Sequence, residues 1–347
     1  MSGVEAISGA TAEEMALLSA KAKDLGADTK FTAKEAGDAM GYMAMAGWKA
    51  RDMLGGLEGV MNLAAASGED LAATSDIVTD ALTAFGMTAA DSGRFADILA
   101  VAASNANTNV AMMGETFKYV APVAGALGYS AEDTALAIGL MANSGIKASQ
   151  AGTTLRSVIT RLSTDAGASK TQLGALGVLT ERLGVAFYNA DGSARAMRDV
   201  IADCREAWAG LSKEQQISYA KTIAGQEAMS GWLALMNATQ ADVQKLAVSV
   251  DNCAGAAERM AKIRLDNLNG QLTLMNSAWD ALRVTIGEQF NPELRKAAEL
   301  GTDVLGWLDE FVRENPALVK GVMTFAGVMG TATVAVTGVN AALKVFQ

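Results

Sequence analysis

Three stretches decide the fold: FTAKEAGDAMGYMAMAG (31–47), MTAADSGRFADILAVAA (87–103) and YSAEDTALAIGLMANSG (129–145). They align without gaps. Thr32, Thr88 and Ser130 superpose, and so do Ala44, Ala100 and Ala142. Each places Ser or Thr three residues before an acid. That is the spacing at which a capping box satisfies the orphan N–H groups of a helix start. Each is followed by a second helical stretch: WKARDMLGGLEGVMNLA, NVAMMGETFKYVAPVAG and SQAGTTLRSVITRL. Each unit therefore reads as a helical hairpin, at offsets of 56 and 42 residues. A further helix is expected near 69–85, between the first two units. Such hairpins bury little alone and must stack on their neighbours.

The same start signal recurs outside the repeat, in Thr11-Ala-Glu-Glu14 and Ser212-Lys-Glu-Gln215. Gly26, Gly47, Gly86, Gly128 and Gly145 stand where a glycine in the left-handed conformation ends a helix. Residues 164–192 break the pattern. LGVAFYNADGSAR (183–195) alternates apolar residues and then carries Asp191-Gly192, a turn signal. It reads as a short β-hairpin or an ordered loop. Helices resume at about 194–210, 213–224, 226–237 and 239–250.

From Ala254 onward the character changes. Ala261, Leu265, Leu268, Leu272, Met275, Trp279, Leu282 and Ile286 are spaced 4,3,4,3,4,3,4, a heptad seam. Pro292 interrupts it. The seam resumes one residue out of phase as Leu294, Ala298, Gly301, Leu305, Leu308 and Val312. Its partner is either another copy or this chain's own body, and the spacing does not choose. Burial of the seam is expected in either case, and a homo-oligomer is the expectation for the chain as a whole.

The stretch GVMTFAGVMGTATVAVTGVNAAL (321–343) is uncharged and bracketed by Lys320 and Lys344. A bilayer span needs ~20 mostly apolar residues, so this segment is membrane-competent. Thr324, Thr331, Thr333, Thr337 and Asn340 dilute it. Small residues at i and i+4, Ala326 with Gly330 and Gly338 with Ala342, favour an associating span over a lone anchor. A buried core helix is the competing reading.

Composition narrows the chemistry. Half of the 347 residues are apolar, only 5% are aromatic, and there are three prolines. That favours helices packed through small residues. The formal charge of −10 argues against a phosphate-binding surface, so nucleic-acid binding by this chain is not expected. Histidine is absent. Its absence removes Ser-His-Asp and Cys-His catalysis and His-ligated zinc hydrolases. Cys204 and Cys253 lack metal spacing and read as a free, reduced pair. The start, MSGVEAISGATAEEM, is small and acidic and shows no secretory signal.

One enzymatic pattern merits weighing. Glu115 in Met113-Gly-Glu-Thr116, with Gly139-Leu-Met141 downstream, faintly resembles the lytic transglycosylases, which use one Glu as acid and base. Thr116 stands where that pattern has Ser, and Ala142 where it has Gln. A solvated helix residue is the favoured reading of Glu115. Gly327 and Gly330 follow no strand, so they form no nucleotide loop. Met40, Met43, Met45, Met112 and Met113 read as core packing before a soft binding groove. No catalytic, cofactor-binding or metal-ligating residue is assigned, no cofactor is expected, and no enzymatic activity is expected.

Residues 28–162 closely resemble the core of phage tail tape measure proteins. The stretches that carry the likeness are TKFTAKEAGDAMGYMAMAGW (29–48), NLAAASGEDLAATSDIVTDALTAFGM (62–87) and SNANTNVAMMGETFKYVAPVAGALGYSAEDTALAIGLMANSGIKASQAGTTLR (104–156). It continues more loosely through LGVAFYNADGSARAMRDVI (183–201) and NCAGAAERM (252–260). The resemblance implies a protein that threads the tail tube, sets tail length, and helps the genome cross the host envelope. It implies tail tube protein, tail assembly chaperones and baseplate or tip proteins as partners. It implies the virion tail lumen and the host cytoplasm during assembly; from its uncharged length, 321–343 is expected to enter the host inner membrane on delivery. Family members usually run to many hundreds of residues. One straight helix of this length would reach only about 500 Å. The chain also ends at Val345-Phe-Gln347 without a helix-ending signal, so a fragment of a longer parent is expected.

The expected architecture is all-α: stacked helical hairpins, then long helices and a hydrophobic C-terminal helix, with one short β-hairpin or loop near 183–195. The expected parts are 1–170, the hairpin-repeat core; 171–252, a second helical part; 253–315, long heptad-patterned helices; and 316–347, the hydrophobic segment. Two other functions compete with the tail reading. One is a membrane-active, pore-forming or toxin-like helical protein. The other is a peptidoglycan-cleaving domain built on Glu115.

Overall fold

The start signals do what their spacing requires. Thr11 and Glu14 form a closed capping box: the Thr11 N–H donates to Glu14 Oε2 at 2.8 Å, and the Glu14 N–H to Thr11 Oγ1 at 3.2 Å. Thr32–Glu35 and Ser212–Gln215 close in the same way. Thr88–Asp91 closes over a single 3₁₀ turn, Ala89–Asp91, that leads into the next helix. At Ser130 only half the box forms. The Asp133 N–H reaches Ser130 Oγ at 3.1 Å, but the Asp133 carboxylate is committed elsewhere.

The computed structural model describes residues 1–282 and residue 284. Its helices are α1 (Ser2–Ser8), α2 (Ala12–Asp28), α3 (Ala33–Met45), α4 (Ala50–Ser67), α5 (Leu71–Phe85), α6 (Ser92–Asn105), α7 (Val110–Ala126), α8 (Ala131–Asn143) and α9 (Ala148–Ser163). There follow α10 (Ala175–Gly177) with a π turn over Val178–Arg182, α11 (Met197–Ala209), α12 (Lys213–Ala224), α13 (Met229–Met236), α14 (Gln240–Asp251) and α15 (Ala256–Leu265). A last helix, α16, covers 268–282. The second part of the seam, Leu294 to Val312, and the segment 321–343 lie outside the described residues.

The all-α expectation of stacked helical hairpins holds among the described residues. The register of the repeat differs from the one read in the sequence. Within α3 to α9, each helix packs more on the next but one than on the next. One row is α3, α5, α7, α9 and the other is α4, α6, α8. Helices of the first row start at Ala33, Leu71, Val110 and Ala148, so the structural period is 38 or 39 residues. The offset of 56 spans one extra helix, α5. It therefore puts α3 in one row and its sequence counterparts α6 and α8 in the other.

Within each row, small residues set the helix separation. A Cβ on Gly59 of α4 would lie 2.7 Å from the Gly93 Cα of α6. One on Gly125 of α7 would meet the end of α5, 3.0 Å from the Phe85 Cα. One on Gly152 of α9 would lie 2.7 Å from the Tyr119 Cβ of α7. Buried hydroxyls stitch the same neighbours. Ser75 Oγ donates to the Ala39 carbonyl at 3.0 Å, Ser92 Oγ to the Gly56 carbonyl at 3.0 Å, and Thr116 Oγ1 to the Ala148 carbonyl at 2.9 Å. Phe117 joins the rows edge-on to Phe95 and Phe85, with ring centroids 5.4 and 5.8 Å away.

Gly47, Gly86, Gly128 and Gly145 take positive φ, as expected of helix-ending glycines. Gly26 does not. It lies inside α2, which runs on to Asp28, and it is buried because the Ala33 main chain of α3 packs against it. Its role is close approach, not termination. Near 183–195 the chain makes a miniature hairpin. Tyr188 and Ala194 form an isolated antiparallel bridge, and the Arg195 N–H donates to the Phe187 carbonyl at 3.0 Å.

After α9 the chain turns back. α12 and α13 cover the end of the first row at α9. α14 then lies over α8 and α6, and α15 over α6 and α4. α14 and α15 thus retrace the second row toward its beginning. Residues Met1–Leu282 form one compact unit.

Candidate functional site

The surface with the most distinctive chemistry is where α15 ends and α16 begins. α15 is held down at both ends. At its start, the Asp97 carboxylate of α6 accepts from the Gly255 N–H at 2.7 Å and the Ala257 N–H at 2.8 Å. These are orphan donors of a helix N-terminus, so a cap normally supplied from within the chain's next turn comes from another helix. At its end, Arg264 Nη1 donates to the Ala66 and Ser67 carbonyls at 3.1 and 2.8 Å. Those are the free carbonyls of the α4 C-terminus, where a cation is favourable. Ala256, Ala257 and Ala261 are buried beneath.

Lys30 crowds the same helix end. Its Nζ lies 3.4 Å from the Ala64 carbonyl and 4.6 Å from the centre of the Phe31 ring. Burial, and then the nearby Arg264 charge, lower its pKa. The Lys30 carbonyl accepts from Ser277 Oγ at 2.7 Å, which fixes one side of α16 to the body. Gly270 and Ser277 are the buried positions of α16. A groove of about 540 Å³ runs between these parts, lined among others by Asp28, Lys30, Glu58, Glu258 and Gln271.

Between the two helices the chain bends at Asp266–Asn267. The Asn267 N–H donates to the Leu265 carbonyl at 2.9 Å, and Asn267 Nδ2 to the Arg264 carbonyl at 2.7 Å. Asn267 Oδ1 accepts from the Gly270 N–H at 2.9 Å. One side chain therefore ends α15 and caps α16. Gly270 makes the bend possible, because any Cβ there would collide with the Leu265 carbonyl.

This geometry turns most of the heptad seam outward. Ala261 is buried against the body, but Leu268 is 75% exposed, Met275 60%, Trp279 57%, Leu282 47% and Leu272 44%. Burial on the chain's own body was one of two expectations for the seam. The structure overturns it from Leu268 to Leu282, since Gly270 and Ser277 occupy the inward side instead. The flanking Lys262 and Glu258 pair with each other on the surface.

The other sequence candidates are placed as follows. Glu115 is half-buried on α7. Its neighbour Thr116 is buried and spends its hydroxyl on the Met112 and Ala148 carbonyls. Ala142 is fully buried. These residues form part of the α7–α8–α9 packing and bring no second carboxylate to Glu115. Met40, Met43 and Met113 are core, whereas Met45 and Met112 are exposed. Cys204 and Cys253 are both free and buried. No group of three or more potential metal ligands occurs among the described residues. None of the described helices is long and apolar enough to cross a membrane.

Two features escaped the sequence. Arg198 of α11 joins three helices: it pairs with Asp133 of α8 and donates through Nη1 to Asp251 of α14 at 2.8 and 3.1 Å. Burial disfavours its charge, but hydrogen bonds to Asp133 and Asp251 outweigh that and raise its pKa. Asp97 caps α15 from a distance of more than 150 residues. In the sequence both look like ordinary surface charges on amphipathic helices.

The described residues thus build a helical scaffold that presents an apolar face, and the comparisons identify its class as a tail protein of phages. Residues 19–225 match the phage-related minor tail protein family, and the chain belongs to that family. It is 40% identical over 329 residues to the tape measure protein of Pneumococcus phage Dp-1, covering 95% of this chain and 28% of that relative. It is 27% identical over 342 residues to the probable tape measure protein of Escherichia phage P2, covering 94% of this chain and 41% of that relative. The chain therefore spans less than half the length of either relative. No solved structure matches it.

Proposed function

We infer that this chain is the folded helical region of a tape measure protein, which templates tail tube length and takes part in genome delivery across the host envelope. The observation that carries this is 40% identity across 95% of the chain to a tape measure protein. Its partners on this reading are the tail tube protein, tail assembly chaperones and baseplate or tip proteins. It acts without enzymatic activity, in the virion tail lumen after assembly in the host cytoplasm. Its charge of −10 keeps it off nucleic acid. The parts 1–170, 171–252, 253–315 and 316–347 serve as repeat core, second helical part, pairing helices and membrane-entering segment. The uncharged stretch 321–343 supports entry into the host inner membrane on delivery.

The outward heptad face supports self-association of the chain. The positions flanking the seam are Lys262, Asn269, Asn276 and Arg283 on one side, and Arg264, Gln271, Ala278 and Thr285 on the other. A parallel copy sets Arg264 against Asn269, Gln271 against Asn276, and Ala278 against Arg283. No cation then faces a cation, so pairing is not opposed.

Tail length tests the reading. Duplicating the repeat unit 71–109 in the parent gene adds 39 residues, worth at most about 58 Å as extended helix. Purified tails are expected to contain the chain and to lengthen by tens of ångströms. Tails of unaltered length that carry the duplicated chain contradict it.

A further inference from the structure

The heptad spacing runs through the bend without a break. Ala261, Leu265, Leu268 and Leu272 keep their 4,3,4 order across Asp266–Asn267, although the helix itself stops there. A heptad specifies one face only on one continuous helix. The structure instead puts Ala261 on the body and Leu268 in solvent. We propose that the bend is a hinge: residues 256–282 also form one straight helix, in which α15 leaves α4 and α6 and the seam becomes continuous.

The atoms at the bend are arranged for exchange between these forms. In a straight helix the Arg264 and Leu265 carbonyls accept from the N–H groups of Leu268 and Asn269. In the bent form Asn267 occupies both carbonyls, with its side-chain amide and its main-chain N–H. Asn267 thus substitutes for two helical hydrogen bonds. Gly270 sits at an outer position of the heptad, where pairing does not require a glycine. It disfavours a straight helix, but the bent form needs it for the close approach to Leu265. The bent form is further held by the Asp97 cap and the Arg264 contacts to α4. The isolated chain therefore rests in the bent form. A second copy offering its own seam compensates for releasing α15, a statement that rests on the self-association reading above; the hinge itself does not.

Amide exchange in the full chain separates the two forms, because two sites change in opposite directions. Leu268 and Asn269 gain helical acceptors on straightening, and Gly255 and Ala257 lose the Asp97 carboxylate. Gly270→Ala blocks the bend and favours the helix. It is expected to slow exchange at Leu268 and Asn269 by about tenfold or more and to speed it at Gly255 and Ala257 by a similar factor. Asp97→Asn, which frees α15 while keeping Gly270, is expected to move both sites in the same senses. Leu268→Pro is tolerated at a first helical position but not inside a continuous helix, and is expected to keep Gly255 and Ala257 protected. Faster exchange at both sites in Gly270→Ala and Asp97→Asn, which is local unfolding, overturns the hinge. So does no change at either site. Sedimentation of the same samples reports pairing separately: a straightened monomer keeps the hinge and removes the self-association reading.

Discussion

Asp133 and Arg198 form an ion pair that the capping pattern conceals. Asp133 stands three residues after Ser130, where a capping box would direct its carboxylate back to the Ser130 N–H. Instead its side chain is 6% exposed, faces Arg198 Nε, and accepts from the Arg198 main-chain N–H at 3.2 Å. The pair ties the repeat body to the returning part of the chain.

Asp133→Ala leaves the half-buried Arg198 with only Asp251. A loss of about 3 kcal/mol is expected, the scale for breaking a buried pair. Ser130→Ala removes only a cap and should cost about 1 kcal/mol. Urea unfolding of the two variants measures both. An Asp133→Ala chain as stable as the parent would mean that the pair holds nothing together.

Glycines inside helices divide into those that set helix separation and those with open space around them. A Cβ at Gly152 would press on the α7 main chain, 2.7 Å from the Thr116 carbonyl oxygen, so Gly152→Ala should cost about 1–3 kcal/mol. Gly55 lies mid-helix in α4 with nothing within 4 Å of its Cβ position. Gly55→Ala should therefore stabilise by about 0.5–1 kcal/mol. Melting of the two variants is expected to shift in opposite directions.

Burial pushes the Cys204 thiol up to about 12 from an ordinary 9.0. The folded chain thus keeps it neutral where an unfolded chain ionises it. Its contribution to stability is present below pH 9 and falls as the pH rises above that value. Alkylation by iodoacetamide at pH 8.5 should be negligible in the native chain and rapid in urea, because the thiolate is the nucleophile. Fast modification of native Cys204 would contradict its placement in the core.

The helices were legible because their signals are local. Thr11, Thr32 and Ser212 cap within one turn, and Gly47, Gly86, Gly128 and Gly145 end helices by their own conformation. The row structure was not, because it depends on which helix packs on which. The aligned Thr32 and Thr88 carry the same local signal and yet stand in different rows. Gly26 misled for a related reason: a glycine demanded by a neighbour's approach looks the same in sequence as one that ends a helix. The heptad face was legible as a pattern, but which way it points depends on Gly270 and Ser277, small residues that carry no periodic signal.

The outward heptad face from Leu268 to Leu282 is proposed to pair with that of another copy. The most direct test is sedimentation equilibrium of the chain and of a Leu268→Asp, Leu272→Asp variant, with helicity and melting recorded alongside. Both leucines are exposed, so the variant should keep its melting temperature within the range of surface changes, about 0.5 kcal/mol. The parent chain is expected to associate with rising concentration and the variant to stay monomeric. A parent chain that is monomeric throughout would contradict the claim, and so would a variant that associates as the parent does.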